Sequence, residues 1–159
     1  MKKLHLIPVM IWSSILTESQ IDSPAYKPND LTIERPPVKS KSITFIENTY
    51  SIALKKAKAE HKYIFVDAYA TWCGPCRQLK NTTFKDSQAA DFFNKNFVNL
   101  SVDMEKGEGV ELASRWEVQE YPTLLILDEN GKVLLRSIGY LDAIQLRAFG
   151  KKAFKSVSN

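Results

Sequence analysis

The chain has 159 residues, of which 44% are hydrophobic and 25% charged, with a formal net charge of +4; this is the size and composition of one globular domain with a full hydrophobic core. Lysines and arginines are scattered among acidic residues and build no basic stripe or arm, so nucleic acid is not an expected partner. No stretch approaches the roughly eighteen consecutive apolar residues of a membrane-spanning helix, so stable membrane insertion of the mature domain is not expected either.

Residues 1–19 read as a secretory signal. Lys2 and Lys3 give the positive start, Leu4 to Leu16 give a short apolar run broken by Pro8, and Thr17, Glu18 and Ser19 offer a small-x-small cleavage site before Gln20. No cysteine follows the run to accept an acyl anchor. The alternative, an N-terminal core helix of a cytoplasmic protein, is opposed by Pro8 in its middle and by the missing polar face. The predicted location is therefore periplasmic or otherwise exported. Residues 20–42 carry Pro24, Pro28, Pro36 and Pro37 among polar residues without apolar periodicity, which describes an extended linker.

Residues 43–159 carry the predicted domain. Ile43 to Phe45 suits a short strand, and Tyr50, Ala53, Leu54 and Ala57 recur at helical spacing with Lys55, Lys56 and Lys58 largely off that stripe. Tyr63 to Asp67 is a β-rich run of the kind buried on both faces, and it feeds directly into Ala70-Thr71-Trp72-Cys73. Pro75 fits the first turn of the next helix, whose inner side continues through Leu79 and Thr83. Asp86 or Ser87 can cap a further helix carrying Ala90 and Phe93. Val98, Leu100 and Val102 alternate with Asn99, Ser101 and Asp103 as in a strand, and Val110 to Trp116 is a short helical stretch. Thr123 to Leu127 and Val133 to Ile138 read as a hairpin across the Asp128 to Gly131 turn, and Asp142 can cap a last helix striped by Leu146, Phe149 and Ala153. This order implies a mixed sheet covered on both faces.

The two cysteines, Cys73 and Cys76, close too small a loop to staple a fold. A zinc site wants about four ligands, and the two histidines, His5 and His61, stand in the leader and at a helix end, so no metal is expected. A cysteine at a helix N-terminus lies among unsatisfied N–H groups and the positive end of the dipole, which favour a thiolate and make Cys73 the better nucleophile. Cys76, one turn further in, is expected to be more buried and to act as the resolving thiol. Gly74 allows close approach of a substrate backbone, and Pro75 stiffens the turn.

The pentapeptide Trp72-Cys73-Gly74-Pro75-Cys76 after a strand, with Tyr121-Pro122-Thr123 before a later strand, resembles the thioredoxin superfamily over about residues 43–155. The resemblance implies a thioredoxin-like three-layer α/β/α fold with a mixed central sheet. It also implies that Pro122 is a cis-proline whose loop lies beside the cysteines and offers backbone to an extended substrate, with Gly139 near the same groove. Asp67, six residues before Cys73, matches the family's buried carboxylate that relays a proton to or from the resolving cysteine, and burial would raise its pKa toward the range useful for acid-base work. Two features depart from the thioredoxins. Asn99 stands where they carry a third-strand lysine near that aspartate, and the segment Ser87 to Asn96 lengthens the connection to the third strand. The lysine-rich helix ending Glu60-His61-Lys62 is similar to the lead-in of exported relatives, among them the C-terminal domain of bacterial thiol:disulfide interchange reductases.

The expected function is thiol:disulfide exchange with protein substrates through Cys73 and Cys76, without a cofactor. The Gly-Pro dipeptide implies, by resemblance, the reducing direction, and a reductase in an oxidising compartment needs an upstream thiol electron donor. The alternative is a thioredoxin-fold binding module or chaperone that uses the groove around Trp72 and Pro122 without turnover; a binder has no physical need for two thiols at this spacing.

Overall fold

The computed structural model describes residues 41–155. The expected leader and all but the last two residues of the expected linker lie outside the described residues. Five strands form one sheet: β1 (Ile46–Glu47), β2 (Tyr63–Tyr69), β3 (Phe97–Asp103), β4 (Thr123–Leu127) and β5 (Val133–Ile138). Their order is β1-β3-β2-β4-β5, with β1, β3 and β2 parallel and β4 and β5 antiparallel. The helices are α1 (Tyr50–Glu60), α2 (Gly74–Asn81), α3 (Ser87–Asn96), α4 (Gly109–Arg115) and α5 (Ala143–Lys155).

Side chains alternate across β2, so its two faces feed two cores. Ile64, Val66 and Ala68 join Tyr50, Ala53 and Ala57 of α1 and Leu112 of α4 on one side. Phe65 joins Leu79 of α2, Phe93 of α3 and Leu146 and Phe149 of α5 on the other. This is the predicted three-layer arrangement. Phe65 is fully buried with its ring 4.4 Å from that of Phe93, and truncating a phenylalanine so placed costs about 3–5 kcal/mol.

Capping closes the elements where the sequence signals them. Asp86 accepts the Ala89 N–H at 2.8 Å and Asp142 accepts the Gln145 N–H at 2.8 Å. In the hairpin turn the Asp128 carboxylate accepts the N–H groups of Asn130 and Lys132. Gly131 there has φ +88°, and a Cβ would meet the Tyr50 hydroxyl at 2.0 Å, so both backbone and space demand glycine.

Three boundaries differ from the sequence-based expectation. The first strand is Ile46–Glu47, not Ile43 to Phe45: the Ile43 N–H is bonded to Phe84 O, and the Thr44 backbone is taken by Asn94 and Asn99 side chains, which leaves those residues no partner strand. The second strand runs on to Tyr69 because β3 continues its ladder through Ala68↔Val102 and Tyr69↔Asp103. Thr83 does not extend α2. The helix stops at Asn81, the Thr82 hydroxyl bonds back to Gln78 O at 2.7 Å, and Thr83 begins a 3-10 turn with its hydroxyl on Leu141 O.

Candidate active site

β2 ends at Tyr69, and after three intervening residues the chain turns into α2 with Cys73 as its N-cap. Pro75 lies in the first turn, where a missing N–H leaves no helical bond unmade. Cys73 and Cys76 are joined in a disulfide with S–S 2.02 Å, and Cys73 Sγ accepts the Cys76 N–H at 3.1 Å. The cap is therefore the sulfur itself, in place of the usual side-chain oxygen. Helix-terminal N–H groups stabilise negative charge at this position.

The expected difference in exposure between the cysteines is corrected by the structure: each is 2% exposed in the disulfide form. Both cysteines share one small cluster with Ala70, against which Tyr69 and Tyr121 pack. The two sulfurs differ instead in surroundings, since Cys73 caps the helix whereas Cys76 lines a cleft with Tyr69, Ala70, Thr71, Arg77 and Lys80.

Asp67 is fully buried on the α2 face of β2, opposite Ser101 of β3 and Leu124 of β4. The Ser101 hydroxyl donates to Asp67 Oδ2 at 3.0 Å, and Oδ1 has no hydrogen-bond partner among the described residues. Burial pushes the carboxyl up to about 6, while the Lys80 ammonium and the Ser101 hydrogen bond pull it back down. A carboxyl titrating there can accept or release a proton near neutral pH. Asn99 points its amide at Thr44 O, ahead of β1, and at Asn94 of α3.

Of the remaining predicted residues, Trp72, Gly74 and Pro75 adjoin the cysteines in the chain and Tyr121 packs against their cluster. Trp72 is 65% exposed, with its indole edge-on to Tyr121 at 5.9 Å and its N–H shared by both Glu105 carboxylate oxygens at 2.9 and 3.0 Å. The Tyr121–Pro122 bond is cis, and Pro122 O accepts the Gly139 N–H at 2.8 Å. Gly139 sits at φ +91°, which favours glycine. Gly74 has nothing within 4 Å of an added Cβ, so the chain's own packing does not require glycine there. Ser101, Glu105 and Lys80 belong to this site although the sequence does not single them out. Lys80 has a faint signal, lying four residues beyond Cys76 on one helix; Ser101 and Glu105 are recruited through strand register and a loop.

A thioredoxin-like domain model matches residues 50–154. The thiol:disulfide interchange protein DsbD of Haemophilus influenzae is 31% identical over 115 residues, covering 70% of this chain and 20% of DsbD; the chain thus spans about a fifth of the length of that relative. Among solved structures, a proposed disulphide-isomerase from Bacteroides thetaiotaomicron is 46% identical with a TM-score of 0.62, over 77% of this chain and 98% of that one. A thioredoxin from Thermus thermophilus, 24% identical with a TM-score of 0.60 over 73% of this chain and 89% of that one, shares the fold. By fold and by its CxxC disulfide the protein is of the thiol:disulfide oxidoreductase class. The chain belongs to the thioredoxin-like family.

Proposed function

We propose that the chain is an exported reductase of protein disulfides, with Cys73 as nucleophile, Cys76 as resolving thiol and Asp67 as the proton acceptor for Cys76. The observation that carries this reading is a disulfide whose first sulfur caps a helix, fed by a strand that bears a buried carboxyl titrating at about 6.

In the reduced protein the Cys73 thiolate attacks a substrate disulfide, forming a mixed disulfide and expelling one substrate thiolate. Cys76 passes its proton to the Asp67 carboxylate, attacks Cys73 Sγ, and closes the intramolecular disulfide while the second substrate thiolate leaves. Two electrons go from the protein dithiol to the substrate disulfide. An upstream thiol donor then restores the dithiol. Potentials in this fold range from about −270 mV to about −120 mV, a span of roughly 7 kcal/mol for two electrons; the reducing direction rests on the Gly74-Pro75 dipeptide and on kinship with an interchange protein.

Trp72, Tyr121, Pro122 and Gly139 form the surface on which an extended substrate segment lies. The open space at Gly74 and the shape of Pro75 let its backbone approach the disulfide. Residues 1–19 serve as a leader removed on export and residues 20–42 as a spacer ahead of the domain at 43–159. Among the described residues no helix is long and apolar enough to cross a membrane.

An insulin-reduction assay with a thiol donor tests the function, and equilibration of the Cys73–Cys76 pair with glutathione tests its direction. Turnover with a potential near that of thioredoxin is expected. Binding of unfolded protein without turnover would instead mark a thioredoxin-fold binding module.

A further inference from the structure

Lys80 lies one helical turn beyond Cys76, so the two side chains leave the same face of α2. That face closes a cleft of about 260 Å³ whose walls also include Tyr69, Ala70 and Thr71. Lys80 is half-buried, and its Nζ stands 3.4 Å from the centroid of the Tyr69 ring. A cation over an aromatic face is held there by the ring quadrupole, so the ammonium rests on the inner wall of the cleft. Tyr69 follows Asp67 by two residues on β2 and shares its face of the sheet. The cleft thus places a fixed positive charge beside the resolving cysteine, on the side of the sheet where Asp67 is buried.

The groups around Asp67 come from four elements. Ser101 of β3 donates its hydroxyl, Leu124 of β4 lies opposite without charge, Lys80 of α2 favours the carboxylate, and Glu47 of β1 disfavours it. Asp67 Oδ1 has no hydrogen bond of its own among the described residues. Lys80 is therefore the cation that offsets the burial of this charge.

We propose that Lys80 is a positioning residue for disulfide exchange: parked on Tyr69, its ammonium keeps Asp67 available as the carboxylate that receives the Cys76 proton. This rests on the reading of Asp67 as proton acceptor. In the step concerned, the Cys76 S–H bond breaks, its proton goes to Asp67, and the Cys76 thiolate displaces the substrate sulfur from Cys73. Asp67 then releases the proton to solvent. Lys80 neither gives nor takes a proton.

The test begins with the oxidised protein, in which no thiol titrates. Carboxyl ¹³C NMR should show the Asp67 midpoint rising by about one pH unit in Lys80→Gln and staying in place in Lys80→Arg. The acid limb of single-turnover exchange should move upward with it in Lys80→Gln and recover in Lys80→Arg. In an Asp67→Asn background, Lys80→Gln should move nothing further. An unchanged Asp67 midpoint in Lys80→Gln overturns the proposal. So does a rate shift that persists in the Asp67→Asn background, because Lys80 would then act on the thiols directly. A midpoint that moves while Asp67→Asn exchanges at the parental rate overturns the proton-acceptor reading itself, and with it any part of Lys80 in exchange.

Discussion

The Ser101 hydroxyl and the Asp67 carboxylate meet at 3.0 Å across the β2–β3 register, in the middle of the sheet and fully out of solvent. This contact supplies a hydrogen bond that favours the charged form against a burial that opposes it. The balance leaves the carboxyl near 6, poised to exchange protons at neutral pH.

Asp67→Asn should separate stability from activity. The folded state holds the Asp67 proton more tightly than the unfolded chain, with a value near 6 against an ordinary 3.8. The stability this contributes is full below about pH 3.8 and is lost as pH rises through about 6, an order of 3 kcal/mol in all. The asparagine variant should therefore unfold at higher urea than the parent at about pH 8, by up to about 3 kcal/mol, with the gain nearly gone at about pH 3.5. Its exchange rate near neutral pH should fall at least about tenfold. A gain over the parent no larger at alkaline than at acid pH would mean that Asp67 does not carry a raised pKa.

Ser101→Ala removes a donor to the charged form, so the Asp67 value should rise above that of the parent and the acid limb of exchange should follow it upward. Loss of a hydrogen bond to a carboxylate should also lower stability at neutral pH by about 1.5–3 kcal/mol. Carboxyl titration by NMR together with urea unfolding reads both effects.

Cys76→Ser should accumulate a stable mixed disulfide through Cys73, and Cys73→Ser far less, because only the first keeps the attacking thiolate while losing the group that resolves it. Equal burial of the two residues removes exposure as the basis of this order. Position at the α2 N-terminus supplies it instead. Peptide mapping after trapping decides the matter, and trapping chiefly through Cys76 would reverse the assignment.

Glu105→Ala frees the Trp72 indole from its carboxylate clamp. If the indole is part of the substrate surface, KM for a protein disulfide should rise about fivefold relative to KM for a small disulfide, the worth of about one exposed hydrogen bond. An unchanged ratio would remove Trp72 from the substrate surface.

Protein isolated from the producing cell should begin at or near Gln20, as a charged start, an apolar run and a small-residue site in that order require of a leader. Intact-mass measurement reads this directly, and a retained Met1 would defeat the export proposal.

Much of this site can be read in the order of the residues alone. A β-rich run ending in Trp72-Cys73-Gly74-Pro75-Cys76 dictates a strand feeding a helix, with one sulfur at the N-terminus, because capping and proline geometry act within a single turn. The helical spacing of Tyr50, Ala53 and Ala57 and the hairpin chemistry from Asp128 to Gly131 are legible for the same reason. The first strand was not, because whether Ile43 to Phe45 or Ile46–Glu47 pairs depends on where Asn94 and Asn99 place their amides. Equal burial of the cysteines, the pairing of Asp67 with Ser101, the hold of Glu105 on Trp72 and the seat of Lys80 on Tyr69 were decided only by the tertiary structure. Local sequence sets backbone geometry over a few residues, whereas the ionisation of a buried group is set by whatever desolvates and faces it. For Asp67 those groups come from Ser101, 34 residues away on the next strand, and from a lysine on the helix packed across the sheet.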